Sequence, residues 1–365
     1  MTSELSFRRL TLKAFRNIAE LEIQPATRLN VISGDNGHGK TSLLEALYLV
    51  ATTRSFRVES VSGVVREGQE AAVVRAEVQE AGYIREQLVS VGKRGRSVKL
   101  DGKRPKKLST YATRTPVVVF HPRDLELVSG AASERRRLLD RVSLYLEPAS
   151  ADAKSSYTEA LRERQKILQE RGIAARDLDP YETLMAEHGA RLARAHERAA
   201  ERLIAALGPA FSRLAAPELE LTAVFEPRGQ TSPDEFAREL RARRSEDLRR
   251  GAASFGPQRD EIALSIDGRS ARHNASQGQQ RVLTLALKTA ELECIRDARG
   301  AHPVLLLDDV SSELDPARTG AVYEFLKHTQ SQVFVTTTRP ELFPTPTVSP
   351  GERADFALRE GRLVS

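Results

Sequence analysis

Gly34-Asp35-Asn36-Gly37-His38-Gly39-Lys40-Thr41 follows an apolar stretch, Leu29 to Ile32, and precedes Ser42 to Val50, a run rich in Leu and Ala. The octet fits G-x-x-x-x-G-K-[ST] between a predicted strand and a predicted helix, which predicts a phosphate-binding loop. Successive backbone N–H groups would surround a β-phosphate, reinforced by the positive end of the helix dipole. Lys40 is expected to reach the β- and γ-oxygens, and the Thr41 hydroxyl to ligate Mg2+. Gly34, Asp35, Asn36, Gly37, His38, Gly39, Lys40, Thr41 and Ser42 are the first candidate nucleotide contacts.

Around this loop the chain changes character three times. Leu5, Phe7, Leu10 and Leu12 are spaced for extended structure, as are Leu21 and Ile23 before the turn at Pro25. Residues 71 to 120 read as strands, with a hairpin turn at Asp101-Gly102 and a buried strand, Thr115 to Phe120, stopped by Pro122. Near Ser129 the composition shifts to Ala, Leu, Arg and Glu at helical spacing, and it stays so to about Arg250. Pro148, Gly172, Pro180, Pro209 and Pro217 are expected to punctuate these helices. Strands return after Gly256-Pro257: a hairpin over Ile262 to His273, a helix over Gln279 to Ala298, apolar strands near 303–307 and 332–336, and a hairpin within 355–364. The expected organisation is one α/β body made of residues 1–125 and 251–365, bracketing an inserted all-helical domain, 126–250.

Two further motifs follow in order. Val304-Leu305-Leu306-Leu307 ends in Asp308-Asp309, which places two carboxylates at the C-terminal edge of a sheet. Asp308 is expected to hold Mg2+ and Asp309 to orient an attacking water; a plain post-strand loop pair is the alternative. Ser276-Gln277-Gly278-Gln279-Gln280 opens the preceding helix, and Ser276 reads equally well as an N-cap.

Composition narrows the function classes. No stretch approaches the ~18 apolar residues of a membrane span. Met1 to Leu10 lacks the basic-then-apolar layout of a secretory signal, so a cytoplasmic location is expected. The single cysteine, Cys294, excludes an internal disulfide framework and lies in an apolar helical run that marks it as a core residue. The net charge is +6, and 45 of the 56 basic residues are arginine. Guanidinium forks match phosphate oxygens, so a polyanion partner fits, although genome base composition produces the same excess. Lys93, Arg94, Arg96, Lys99, Lys103, Arg104, Lys106 and Lys107, opposed by Asp101, form a candidate DNA-binding cluster. Arg135 to Arg137 and Arg241 to Arg250 are two more basic runs, each also readable as a solvated face. With no tryptophan and 5% aromatic residues, an aromatic base-stacking platform is not expected.

The ordered set resembles the ABC-type P-loop ATPase head. Gly34 to Thr41 looks like its Walker A, Ser276 to Gln280 a variant of its signature, Leu305 to Asp309 its Walker B, and Ser311 to Asp315 its D-loop. Within that superfamily the chain resembles the bacterial RecF family, with its SMC-like heads. The resemblance rests on Leu12-Lys13-Ala14-Phe15-Arg16-Asn17, Arg54-Ser55-Phe56-Arg57, Ser133 to Asp140, and Leu306 to Asp315. It implies a mixed-sheet core with a β-rich lobe, ATP and Mg2+ as cofactors, and further nucleotide contacts from Arg16, Asn17, Arg57, Ser276, Gly278, Gln279 and Asp315. Arg57 is also readable as a surface salt bridge. Lys40, Asp309 and Ser276 would carry catalysis, with Thr41 and Asp308 on the metal. Two copies would sandwich ATP, the signature of one capping the nucleotide of the other. The implied biology is recombinational DNA repair, replication and the SOS response: binding at gaps or single-strand/double-strand junctions, partnership with RecO and RecR, and help in loading RecA.

Several positions depart from the wider ABC pattern. Gln277 replaces a signature glycine, Asp309 stands for glutamate, Thr336 to Thr338 replace a histidine, and His121 stands where a glutamine is usual. Together they imply a weak, DNA-dependent ATPase used as a switch. A transporter nucleotide-binding subunit is the first alternative, disfavoured by the helical insertion. An SMC-like structural ATPase would need hundreds of coiled-coil residues, and a binding module with a vestigial ATP site is the third.

Overall fold

A computed structural model of the protein describes residues 4–171, 177–216, 218–309, 329–342, 349 and 351–364. These fall into two compact units: residues 1–124 with 295–365, and Leu125–Cys294.

In the first unit, β1 (Leu5–Phe15), β2 (Ile18–Ile23), β3 (Leu29–Ser33), α1 (Lys40–Thr52), β4 (Ala71–Glu80), β5 (Tyr83–Gly92), β6 (Gly95–Leu100), α2 (Leu108–Ala112) and β7 (Val117–Phe120) follow in order. An antiparallel sheet is ordered β2-β1-β4-β5-β6. Alternation drives it: Leu10, Leu12, Val74, Ala76, Val89 and Val91 are buried between less buried neighbours. The Asp101–Gly102 turn leads to no further strand; Leu100 and Lys103 make a single bridge instead.

The second unit holds α3 (Glu126–Ser129), α4 (Ala132–Leu146), α5 (Ser150–Arg171), α6 (Asp179–Leu214), β8 (Leu221–Glu226), α7 (Pro233–Arg250), β9 (Glu261–Ile266), β10 (Arg269–Ser270), α8 (Ala271–Asn274) and most of α9 (Gln277–Arg299). Four expectations change here. The insertion is helical except for β8, which pairs with β9 over Leu221↔Ile266 to Glu226↔Glu261. Pro209 does not end its helix: α6 runs through it to Leu214, losing one backbone bond while Leu203, Leu207 and Phe211 stay buried on one face. Residues 251–294 belong with the insertion, because Ile262, Leu264, Leu283, Ala286, Leu287 and Ala290 share a core with Leu138, Leu139, Val142, Leu203 and Phe211. Cys294 is buried in that core. The expected hairpin over 262–273 narrows to β9 and a two-residue β10, then turns into α8.

Charged groups are buried here only in company. His196 sits between Asp260 (Nδ1, 2.8 Å) and Asp140 (Nε2, 3.2 Å), and Arg164 between Glu182 and Asp247 at 3.0 and 2.8 Å.

The chain returns to the first unit with β11 (Val304–Leu307), β12 (Val333–Thr337), β13 (Arg353–Arg359) and β14 (Arg362–Val364). Among the described residues these join β3 and β7 in a sheet ordered β14-β13-β3-β12-β11-β7, parallel except for its β14 edge. β11 is apolar throughout and β12 is buried throughout, its Thr336 and Thr337 at the end near the site, as strands covered on both faces allow. One core joins both sheets to α1, with Phe7 and Phe334 edge-to-face at 6.1 Å. Gln332 adds a polar stitch, accepting from Phe7 N (2.7 Å) and donating to Phe7 O (2.9 Å).

Candidate nucleotide and nucleic-acid sites

Register sets the site. Ile32 lies opposite Thr336, and Leu307 lies opposite both Val335 and Phe120. The segments leaving β3, β7, β11 and β12 therefore share one edge, the carboxyl edge where parallel sheets bind ligands.

The loop 34–39 needs glycine at two places. At Gly34 φ is +145° and a Cβ would collide with the carbonyl oxygen of Leu358. At Gly39 φ is +105°, and no side chain caps the start of α1. The N–H groups of its first turn are thus left for an anion. Lys40 Nζ donates to the carbonyls of Gly34 (2.6 Å) and Asp35 (2.9 Å). Burial lowers the Lys40 pKa, against the opposing pull of Asp309, Asp308 and Asp35. Asn17 Nδ2 donates to Gly37 O (3.1 Å), and Gly361 N donates to His38 O (3.0 Å), so the β1–β2 and β13–β14 turns both brace the loop.

Asp308 is buried and doubly held. Thr41 Oγ1 and Thr336 Oγ1 both donate to its Oδ1 at 2.9 Å, and Asp309 N donates to Thr336 Oγ1 at 2.8 Å. Burial pushes the Asp308 carboxyl above the ordinary carboxylate range and Asp309 adds to this; the two hydroxyls and His121 oppose it. Asp309 has φ +52°, a left-handed conformation that Asp tolerates better than most residues. The donor set suits the expected groups: hard oxygens from Thr41 and Asp308 fit Mg2+, and the glycine loop with its buried ammonium fits phosphates.

Other residues meet elsewhere. Arg16 and Arg57 converge on Glu45, a fully buried acid of α1: Arg16 donates to both carboxylate oxygens (2.9 and 2.7 Å), Arg57 approaches to 3.4 Å, and Ser55 Oγ donates at 2.5 Å. Sequence reasoning missed Glu45, although one acid in an otherwise apolar helix was its signal. It also missed that Thr336 anchors Asp308, and that Phe56 stacks on His121 at 5.4 Å. Ser276, on the second unit, forms a reciprocal capping box with Gln279: Ser276 N donates to Gln279 Oε1 (2.8 Å) and Gln279 N to Ser276 Oγ (3.2 Å). Gly278 lies inside that first turn. Asp315 and the rest of Ser311 to Asp315 lie outside the described residues.

The basic stretch is divided by β6. Lys93, Arg94 and Arg96 sit at the β5–β6 turn, where Arg96 donates to Thr53 O at 3.0 Å. Lys99, Lys103, Arg104, Lys106 and Lys107 lie toward or beyond the other end of that strand, which at ~3.3 Å per residue is ~15–20 Å long. The other two runs are engaged internally. Arg135 is buried in a fork with Glu261 (2.6 and 2.7 Å), and Arg243, Arg244 and Arg250 pair with Glu239, Glu182 and Glu246.

The model of the RecF/RecN/SMC N terminal domain matches residues 6–347. The chain is 38% identical to the DNA replication and repair protein RecF of Anaeromyxobacter sp. (strain Fw109-5), over 98% of each chain, and 38% identical to that of Geobacter sulfurreducens over 90% and 92%. It superposes with a TM-score of 0.88 and 25% identity on a solved structure of the recombination mediator protein RecF-ATPrS in the RecFOR pathway, covering 99% of this chain and 98% of that one. An Smc head domain from Pyrococcus furiosus shares the fold at a TM-score of 0.55 and 18% identity. No helix among the described residues is long and apolar enough to cross a membrane.

Proposed function

The chain belongs to the RecF family of DNA-repair ATPases, and from that premise we propose that it is an ATP-gated DNA clamp for gap repair in the cytoplasm. ATP would be held by Gly34 to Thr41, with Asn17 bracing the loop and Lys40 on the phosphates. Mg2+ would neutralise phosphate charge beside Thr41 and Asp308. Thr336 holds Asp308 in place, and Asp309 stands next to it where a water would be oriented. Ser276, Gly278 and Gln279, exposed or partly so at the start of α9, would cap the nucleotide of a second copy, joined by Asp315 as the family resemblance implies, with Arg16 and Arg57 supporting the site through Glu45. The shorter arm of Asp309 and the absence of the usual histidine favour slow hydrolysis that resets a dimer. The basic residues 93–107 would hold DNA by its phosphates at gaps or junctions, with RecO and RecR as partners and RecA loaded downstream.

The observation that carries this reading is the convergence of Lys40, Thr41, Asp308 and Thr336 at one sheet edge. The test is fluorescence anisotropy on a gapped duplex with ATP, with ADP and without nucleotide. ATP is expected to tighten binding, and Ser276→Arg to remove the gain. Equal binding in all three states would end the clamp reading and leave a basic protein with an uncoupled ATP site.

A further inference from the structure

Two arginines near the end of the chain face each other with no acid between them. In the β13–β14 hairpin Arg359 lies directly opposite Arg362. Residues so placed share one face of the sheet, and like charges there repel. Both are exposed, and neither pairs with an acid among the described residues. With Arg66, whose guanidinium donates to Asn17 O, they line a cleft of about 690 Å³. That lining sets three cations against one acid, Glu360. Glu360 pairs with none of them, nor does Glu67 beside Arg66, and Glu20 of β2 is taken by Lys13. Leu363 and Val364, 42% and 49% exposed, give the cleft an apolar wall.

The cleft adjoins the phosphate loop. Asn17, which lines it, donates to Gly37 O (3.1 Å), and Gly361 N, at the hairpin tip, donates to His38 O (3.0 Å). Sheet order separates two flanks of that loop. β12 and β11 stand on one side of β3 and bring Thr336 and Asp308; β13 and β14 stand on the other. A triphosphate in the loop, with its metal toward Asp308, leaves the β14 flank for whatever the phosphates are attached to.

Unpaired guanidiniums are satisfied by negative charge or by a flat π face, and a nucleotide brings both. An acidic peptide would bring the charge alone and has no tie to the loop. A cleft of several hundred Å³ with an apolar wall and a few convergent polar groups suits a small ligand. We propose that this cleft is the nucleoside half of the ATP site, in which Arg359 and Arg362 pack on the face of the base and Arg66 adds positive charge along the wall. The C-terminal hairpin then tells a nucleotide from a bare polyphosphate, which the loop alone does not. The proposal rests on the nucleotide-binding reading above.

The test is calorimetric titration of the full chain with ATP and with inorganic tripolyphosphate, both in excess Mg2+. Wild type is expected to bind ATP more tightly. Arg359→Ala with Arg362→Ala should lower the ratio of ATP to tripolyphosphate affinity about 5- to 50-fold. Lys40→Ala should weaken both ligands together. Equal losses for the two ligands in the double variant would make the arginines phosphate contacts and overturn the base contact. Unchanged affinity for both would overturn the hairpin's role and leave the loop reading standing. No wild-type binding of either ligand would sink the nucleotide reading itself. Both arginines are exposed and unpaired, so the double variant should unfold at the wild-type temperature without nucleotide, which separates a lost contact from lost folding.

Discussion

Asp308 is the side chain on which a nucleotide-driven function most depends, and its titration has a definite sign. Its pKa is raised in the fold by burial. Metal binding needs the ionised form, so Mg2+-dependent nucleotide affinity should fail as pH drops through a value above the ordinary 3.8. Thr336→Val removes one of two hydroxyl donors and should move that failure to higher pH, read by fluorescent-ATP titration with and without Mg2+. The same raised pKa means that Asp308 opposes folding at neutral pH when no cation is near. Asp308→Asn should therefore stabilise the nucleotide-free protein by roughly 0.5–2 kcal/mol while abolishing Mg2+-dependent binding. His196 runs the other way. Burial pulls its pKa down, but the hydrogen bonds it donates to Asp140 and Asp260 outweigh burial and raise it, while Asp140 is lowered to about 2. The His196 contribution is complete below pH 6.5 and is lost as pH rises through the folded value; that of Asp140 is lost as pH falls from 3.8 toward 2. Chemical denaturation of His196→Gln should show a loss of several kcal/mol near pH 6 that shrinks at higher pH.

At the scale of elements, α1 and α9 separate structure from chemistry. Ser276→Ala breaks the capping box and should cost about 1 kcal/mol of stability. Ser276→Arg adds bulk at an exposed position, so a defect in ATP-dependent DNA binding beyond that of Ser276→Ala isolates the role in trans. In α1, Glu45→Ala would strand Arg16 in a partly buried site and should cost about 3–5 kcal/mol, measured by urea denaturation. What was legible here followed from short-range pattern. The loop 34–41 and the strand before Asp308 carry their conformation in consecutive residues, so both could be placed from sequence. The capping box was legible as a spacing, Ser276 to Gln279. The Thr336–Asp308 bond was not, since 28 residues separate the partners and only strand register brings them together. Arg135 looked like surface because charge runs usually are; its partner Glu261 lies 126 residues on.

For the molecule as a whole, two units mean two stabilities to manage. A non-hydrolysable ATP analogue at 100 times its Kd should stabilise the first unit by about 2.7 kcal/mol, whereas raising pH above 6.5 should weaken the second. Calorimetry at two pH values, with and without nucleotide, should move the two contributions independently. The α/β character and the inserted helices were legible from the changes in periodicity near residues 129 and 256. The boundary at 294/295 was not, because it runs through a continuous helix whose greater part is claimed by a remote core. The sheet order carries one more consequence. β3 delivers the phosphate loop, yet its neighbours on both sides are β12 and β13, made some 300 residues later, and the turn touching His38 comes at Gly361. At 5–20 residues per second the ribosome takes about 15–65 s to supply them. A nascent chain therefore carries the loop without these neighbours until they are made. Competence for nucleotide is expected to arrive only with them.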